Sequence, residues 1–268
     1  MTVIEWLQSG LGTSWQNLFI AITYVGSDYA YIVLLSVYYW LIDPISGRKL
    51  GMLMGLTYGL NLLLKEIINR PRPFEINPNI ALESLQKTSE STSFPSGHAQ
   101  GSATFWFYLA AVYQKSWLWW FSGILVFLVS LSRVYLGVHY LGDVVAGIIL
   151  GGLLAWGGWR WQVSQKPALQ FKIICISVTV ILATVFPQFS RSLAVFTGFF
   201  IAQFQFRPPT TIKSRFTVAI AGLLLALCYY FLSEIFLSES WAYWRYLGLA
   251  LLVTEAYPRL AKRCQGLS

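Results

Sequence analysis

Between Lys115 and Arg160 the chain reads WLWWFSGILVFLVSLSRV at 117–134, YLGVH at 135–139 and YLGDVVAGIILGGLLAWGGW at 140–159. At 1.5 Å of rise per residue, each flanking run is long enough as a helix to cross a hydrocarbon core of about 30 Å. Each run holds a single formal charge. Those charges, Arg133 and Asp143, both lie near the connection that carries His139. A membrane helical hairpin with its chemistry gathered at one end has this pattern. Similar runs recur at 28–42, 50–68, 96–113, 171–187, 192–206, 215–233 and 241–257. Apolar residues make up 56% of the chain and charged residues 11%, against roughly 25% charged in ordinary soluble domains. Disorder and a soluble globular fold are both excluded, and the expected class is an all-α, polytopic transmembrane bundle.

The N-terminal stretch differs from these runs. Ile4, Leu7, Leu11, Trp15, Leu18 and Ile22 recur at helical spacing, with Gln8, Ser9, Thr13, Gln16 and Asn17 between them. The spacing predicts an interfacial amphipathic helix within residues 1–26, broken near Gly26, with a first span of unusual polarity as the alternative. Asp43-Pro44 ends the first clear span. Pro71, Pro73 and Pro78 mark 69–93 as a loop. Arg48 is the first basic residue, so no basic leader is expected. Cys175, Cys228 and Cys264 lie far apart and read as apolar filler.

The net charge is +8, from 19 Lys and Arg against 11 Asp and Glu. In a soluble protein this excess would point to nucleic acid. Here it sorts by side. The expected loops place most Lys and Arg on one face, with Asp43 and Glu255 as the only acids there. The positive-inside rule makes that face cytoplasmic. The 69–93 loop then lies outside and the C-terminus inside, and no nucleic-acid partner is expected.

Three polar clusters fall at the outer ends of these spans. Lys65 and Arg72-Pro73 close the second span, Pro95-Ser96-Gly97-His98 opens the third, and Ser132-Arg133, His139 and Asp143 join the fourth to the fifth. Hairpin topology brings them to one side. Lys65, Arg72 and Arg133 would place three cations in one small volume, which calls for an anionic ligand. Arginine's planar fork suits a phosphoryl group. Ser96 and Gly97 begin a helix, where unpaired N–H groups and the dipole also favour phosphate. His139 and Asp143 stand four apart, so a carboxylate can orient the imidazole and leave its other nitrogen as a nucleophile. His98 can protonate a leaving oxygen. Two histidines and an aspartate could instead bind zinc, but three neighbouring cations disfavour a dication. Tyr135 and Tyr140 read as aromatic-belt residues, and Arg70 as either a rim cation or an anchor.

These motifs, K-x6-R-P, P-S-G-H and S-R-x5-H-x3-D, match without substitution the pattern of the type 2 phosphatidic acid phosphatase superfamily, which the sequence closely resembles. The resemblance implies a six-helix catalytic core at 27–188, with additional spans at 189–268. It implies that Lys65, Arg72, Ser96, Gly97 and Arg133 bind phosphate, that His98 is the acid, that His139 forms a phosphohistidine and that Asp143 orients it, with no metal or other cofactor. The expected protein is a lipid phosphatase of the inner, or plasma, membrane of a bacterium, with its site facing the exterior. A lipid phosphotransferase and a non-catalytic phospholipid-binding or transport protein are the alternatives. Neither the lipid nor the oligomeric state can be read from the sequence.

Overall fold

The computed structural model describes residues 2–87, 91–162, 164, 166–203 and 206–264. Among them it contains helices and no strands, in the order α1 Val3–Leu11, α2 Gln16–Val25, α3 Asp28–Leu41, α4 Pro44–Ile68, α5 Pro73–Ile76, α6 Glu83–Lys87, α7 Gly97–Tyr113, α8 Ser116–Tyr135, α9 Leu141–Arg160, α10 Leu169–Val185, α11 Ser190–Ile201, α12 Ile212–Phe236, α13 Ala242–Leu251 and α14 Tyr257–Cys264. A π-helical turn, Leu252–Ala256, joins the last two.

Local chemistry sets the boundaries. Thr2 and Glu5 form a reciprocal capping box that starts α1. The single N-terminal helix expected from the periodicity is two helices. Gly12, at φ +69°, ends α1 in a conformation that favours glycine. Asp43 Oδ1 accepts from the N–H groups of Ile45 and Ser46, at 2.9 and 3.1 Å, and Pro44 follows as the first helical residue of α4. That helix ends where Asn69 turns left-handed at φ +44°, which leaves Lys65 in its last turn.

Among the described residues three helices, α8, α9 and α12, are long and apolar enough to cross a membrane. Residues 13–25 and α3 qualify together as a fourth span, bent by 48° at the Gly26–Ser27 break. Trp117, Trp120, Ile124 and Phe127 of α8 are all more than half exposed. They share one helix face, whereas Ser122, Val126 and Val129 on the other face are buried. Such an apolar outer surface suits lipid, and the chain is an integral membrane protein. Each expected span contains a helix, but not each is a full crossing. At 12 residues α11 is only about 18 Å long. Positions 204–205 of the expected 192–206 span lie outside the described residues.

The chain divides into two compact units, one made of Met1–Tyr31 and Leu60–Arg160, the other of Ile32–Gly59 and Trp161–Ser268. In the first, α7 lies against α9 along Gly147, Gly151 and Ala155. A Cβ on Gly147 would lie 2.7 Å from Ser96 O, and one on Gly151 would lie 2.7 Å from the Ala103 Cβ. This is close small-residue packing of the kind membrane helices use. In the second unit, Trp40 is fully buried, donates through Nε1 to Val253 O at 2.8 Å and packs against the tilted ring of Tyr257, 4.8 Å away. Buried Arg48 donates to the carbonyls of Phe199 at 2.8 Å and Phe200 at 2.5 Å, near the end of α11, and to Ser164 O at 3.0 Å. Cys175 is half-buried and Cys228 exposed; the Cys264 side chain lies outside the described ones.

Candidate active site

Every motif residue falls in the first unit. Lys65, in the last turn of α4, donates to Thr92 O and is 7% exposed. Arg72 precedes α5 in an extended conformation. Its Nε donates to Ser91 O at 2.5 Å and one terminal nitrogen to Val138 O at 2.9 Å. The same nitrogen lies 3.4 Å from His139 Nε2. Arg133, in the last turn of α8, donates to Thr23 Oγ1 at 2.8 Å, while its buried Nε has no hydrogen-bond partner among the described residues.

Ser96 caps α7 and is fully buried, and its N–H donates to Asp143 O at 3.0 Å. This bond ties the phosphate-seeking helix start to the start of α9. Gly97 follows, where a Cβ would lie 3.3 Å from Asn61 Oδ1. Asn61, one turn before Lys65 on α4, donates to Pro95 O at 3.2 Å and to Gln100 Oε1 at 2.9 Å, fixing the approach to α7. His98 is the second residue of α7 and half-buried. Ser96 is bonded to Asp143, and Arg72 lies beside His139, so the three clusters meet in one volume.

His139 lies in the connection between α8 and α9, 2% exposed. Its Nδ1 faces Asp143 Oδ2 at 3.6 Å, longer than a hydrogen bond. Such contacts are often loose without substrate. Other donors already engage both oxygens of Asp143, two of them at Oδ2. Ser93 Oγ donates to Oδ2 at 2.5 Å, the Tyr140 N–H to Oδ2 at 2.9 Å, and Arg70 to Oδ1 at 3.0 Å. Burial holds the His139 imidazole below the ordinary histidine range. Arg72, Arg133 and Lys65 push the same way, and Asp143 opposes them. Burial also lowers the Arg72 guanidinium to about 10, so it stays charged at neutral pH. The site therefore pairs a neutral imidazole with a cluster of cations, an arrangement suited to attack on a phosphoryl group.

The sequence motifs miss Asn61, Ser93 and Thr23. Asn61 carries a legible signal, since it stands four before Lys65 on one helix face. Ser93 and Thr23 carry none, because only the fold brings them to Asp143 and Arg133. Arg70 pairs with Asp143, a contact neither expectation for it named; its guanidinium also lies 4.1 Å over the Tyr140 ring, and its side chain is 41% exposed. Tyr135 corrects an expectation. It is 4% exposed, its ring lies 4.3 Å from Phe19, and its hydroxyl donates to Gly12 O. The N-terminal helices cover the side of α8 where lipid would otherwise meet it. Among the described residues, no group of three or more His, Cys, Asp or Glu side chains is placed to hold a metal.

Comparison with known proteins fits this geometry. The lipid A 4'-phosphatase of Bacteroides thetaiotaomicron is 36% identical over 104 residues, covering 37% of this chain and 44% of that protein. The phosphatidylglycerophosphatase B of Bacillus subtilis is 37% identical over 117 residues, or 39% of this chain and 54% of that protein. The undecaprenyl-diphosphatase of Sulfolobus acidocaldarius is 35% identical over 113 residues, or 40% and 53%. The chain spans about half the length of the curated relatives it matches. A family model described as the PAP2 superfamily matches residues 46–167, a stretch that includes every motif residue from Lys65 to Asp143.

Proposed function

We propose that the protein is a membrane lipid phosphatase, hydrolysing a phosphomonoester or pyrophosphate of a lipid through a phosphohistidine, without a metal. The observation that carries this reading is the pairing of buried His139 with Arg72 at Nε2 and Asp143 at Nδ1. The relatives act, by name, on lipid A, phosphatidylglycerophosphate and undecaprenyl diphosphate. A lipid phosphate is therefore the substrate class assigned here.

In this mechanism Lys65, Arg72, Arg133, the Ser96 hydroxyl and the N–H of Gly97 hold the phosphoryl oxygens. His139 Nε2 attacks phosphorus, and the bond from phosphorus to the lipid oxygen breaks. His98 gives that oxygen its proton, so the lipid leaves as an alcohol, or as a lipid monophosphate when the substrate is a pyrophosphate. Asp143 stabilises the Nδ1–H that becomes cationic. Water then attacks the phosphohistidine, His98 takes its proton, and orthophosphate leaves. The residues from 27 to 188 would form the catalytic core, with 189–268 as additional spans and the segment up to residue 26 at the interface.

The test is orthophosphate release from a panel of lipid phosphates by the purified full chain in EDTA. His139→Ala is expected to abolish release, and retention of full activity in that variant would end the mechanism. Charge sidedness places the site on the exterior face and the C-terminus in the cytoplasm. A reporter fused to the C-terminus should be active only in the cytoplasm, and an exterior signal would reverse the orientation.

A further inference from the structure

Arg133 is buried, at 6% exposure, among other cations, yet what holds it is a neutral hydroxyl. Thr23 Oγ1 comes from α2, outside the superfamily segment, and is itself 5% exposed. A carboxylate in that place would orient the guanidinium but compensate its charge. A hydroxyl oxygen orients it and leaves the charge for a ligand.

The hydroxyl is rigidly placed. Phe19, one helical turn before Thr23, stacks against Tyr135 at 4.3 Å. Gln8 Nε2 donates at 2.7 Å to Tyr135 O, a carbonyl that the end of α8 leaves without a helical partner. Just past α2, a Cβ on Gly26 would lie 3.4 Å from His98 Cδ2. The N-terminal helices thus clamp the turn of α8 that carries Arg133, and the residue that ends α2 lies close to the proposed acid.

We propose that Thr23 is a positioning residue for Arg133, and that α2 is therefore a working part of the phosphate site. This deepens the phosphatase reading and rests on it for its meaning, but its test reads binding separately from turnover. The probe is inorganic phosphate, titrated calorimetrically into the detergent-purified full chain. Thr23→Val keeps the shape and removes the acceptor. It should weaken phosphate about tenfold, the scale of a lost hydrogen bond to a charged group. Thr23→Ser restores the acceptor and should bind within about twofold of the original. In an Arg133→Lys background, where the fork is already gone, Thr23→Val should cost nothing further.

Equal phosphate affinity in Thr23→Val and the original protein would overturn the proposal. So would an equal loss from Thr23→Val with or without Arg133, which is what a merely structural role gives. Failure of the original chain to bind phosphate would overturn both readings. If the binding pattern holds while no lipid phosphate is turned over, Thr23 keeps its role and the phosphatase reading falls.

Discussion

His139 is held between opposing influences, and their balance has a measurable sign. Burial and the three cations disfavour its imidazolium, while Asp143 favours it, and the net effect is a pKa below the ordinary 6.5. A nucleophile must be neutral, so a lowered pKa extends activity toward acid. The acid limb of kcat/KM, which reports the free enzyme, is expected below pH 6.5. A bound phosphoryl group brings negative charge beside Lys65, Arg72 and Arg133 and cancels their push. The limb of kcat, which reports the complex, should therefore lie at higher pH than that of kcat/KM. Both profiles are to be measured, with the substrate's own ionisation near pH 6 determined alongside. An enzyme limb in kcat/KM above 6.5 would contradict the environment described. Asp143 has a different weakness: its oxygens already accept from Ser93, Tyr140 and Arg70, and closing the 3.6 Å gap to Nδ1 must compete with those bonds.

At the scale of elements, the contact of α7 with α9 sets the distance between the two halves of the site, because Ser96 is bonded to the backbone of Asp143. Gly147 stands at that contact. An added Cβ would press on Ser96 O at 2.7 Å and on the N of Gln100 at 3.1 Å, and neither backbone atom can swing aside. Gly147→Ala should destabilise the protein by about 1–3 kcal/mol and lower kcat by displacing the start of α7. Gly152→Ala is the comparison. Its Cβ would meet Phe107 at 3.8 Å, ordinary contact, and should change neither melting temperature nor kcat. Melting in detergent and turnover, measured on both variants, decide the point. The same contact shows what was legible in the sequence. The helical class, the span ends that carry the motifs and the motif spacings follow from local pattern, and they bring Lys65, His98 and His139 to one end of the bundle. The partners that orient them do not repeat at any period. Thr23 lies 110 residues before Arg133 and Ser93 lies 50 before Asp143, so only tertiary packing relates them. The split of the N-terminal helix at Gly12 escaped for a similar reason, since the apolar periodicity runs on through the break.

For the whole molecule, the proposed orientation puts most of the excess charge on one face, while the cations at the proposed outer face belong to the proposed site. The compact units add a constraint that hydropathy does not contain. The chain leaves the first unit after Tyr31 and returns at Leu60, so the superfamily segment begins inside the second unit. Within that second unit, residues 32–59 depend on residues after 160. Trp40 Nε1 needs the carbonyl of Val253, and the buried guanidinium of Arg48 needs those of Ser164, Phe199 and Phe200. In lipid the hydrophobic effect would not penalise removing the later helices, because tails replace apolar side chains at little cost. Stranded polar groups are different: each unsatisfied one costs several kcal/mol away from water. A chain ending at Arg160 keeps every motif residue, yet it should fail to fold, because the loss rivals a typical total stability of about 5–15 kcal/mol. The check is size-exclusion in detergent beside the His139→Ala full chain, which should elute as one symmetric peak. A monodisperse, active 1–160 fragment would show that residues 32–59 need no such partners.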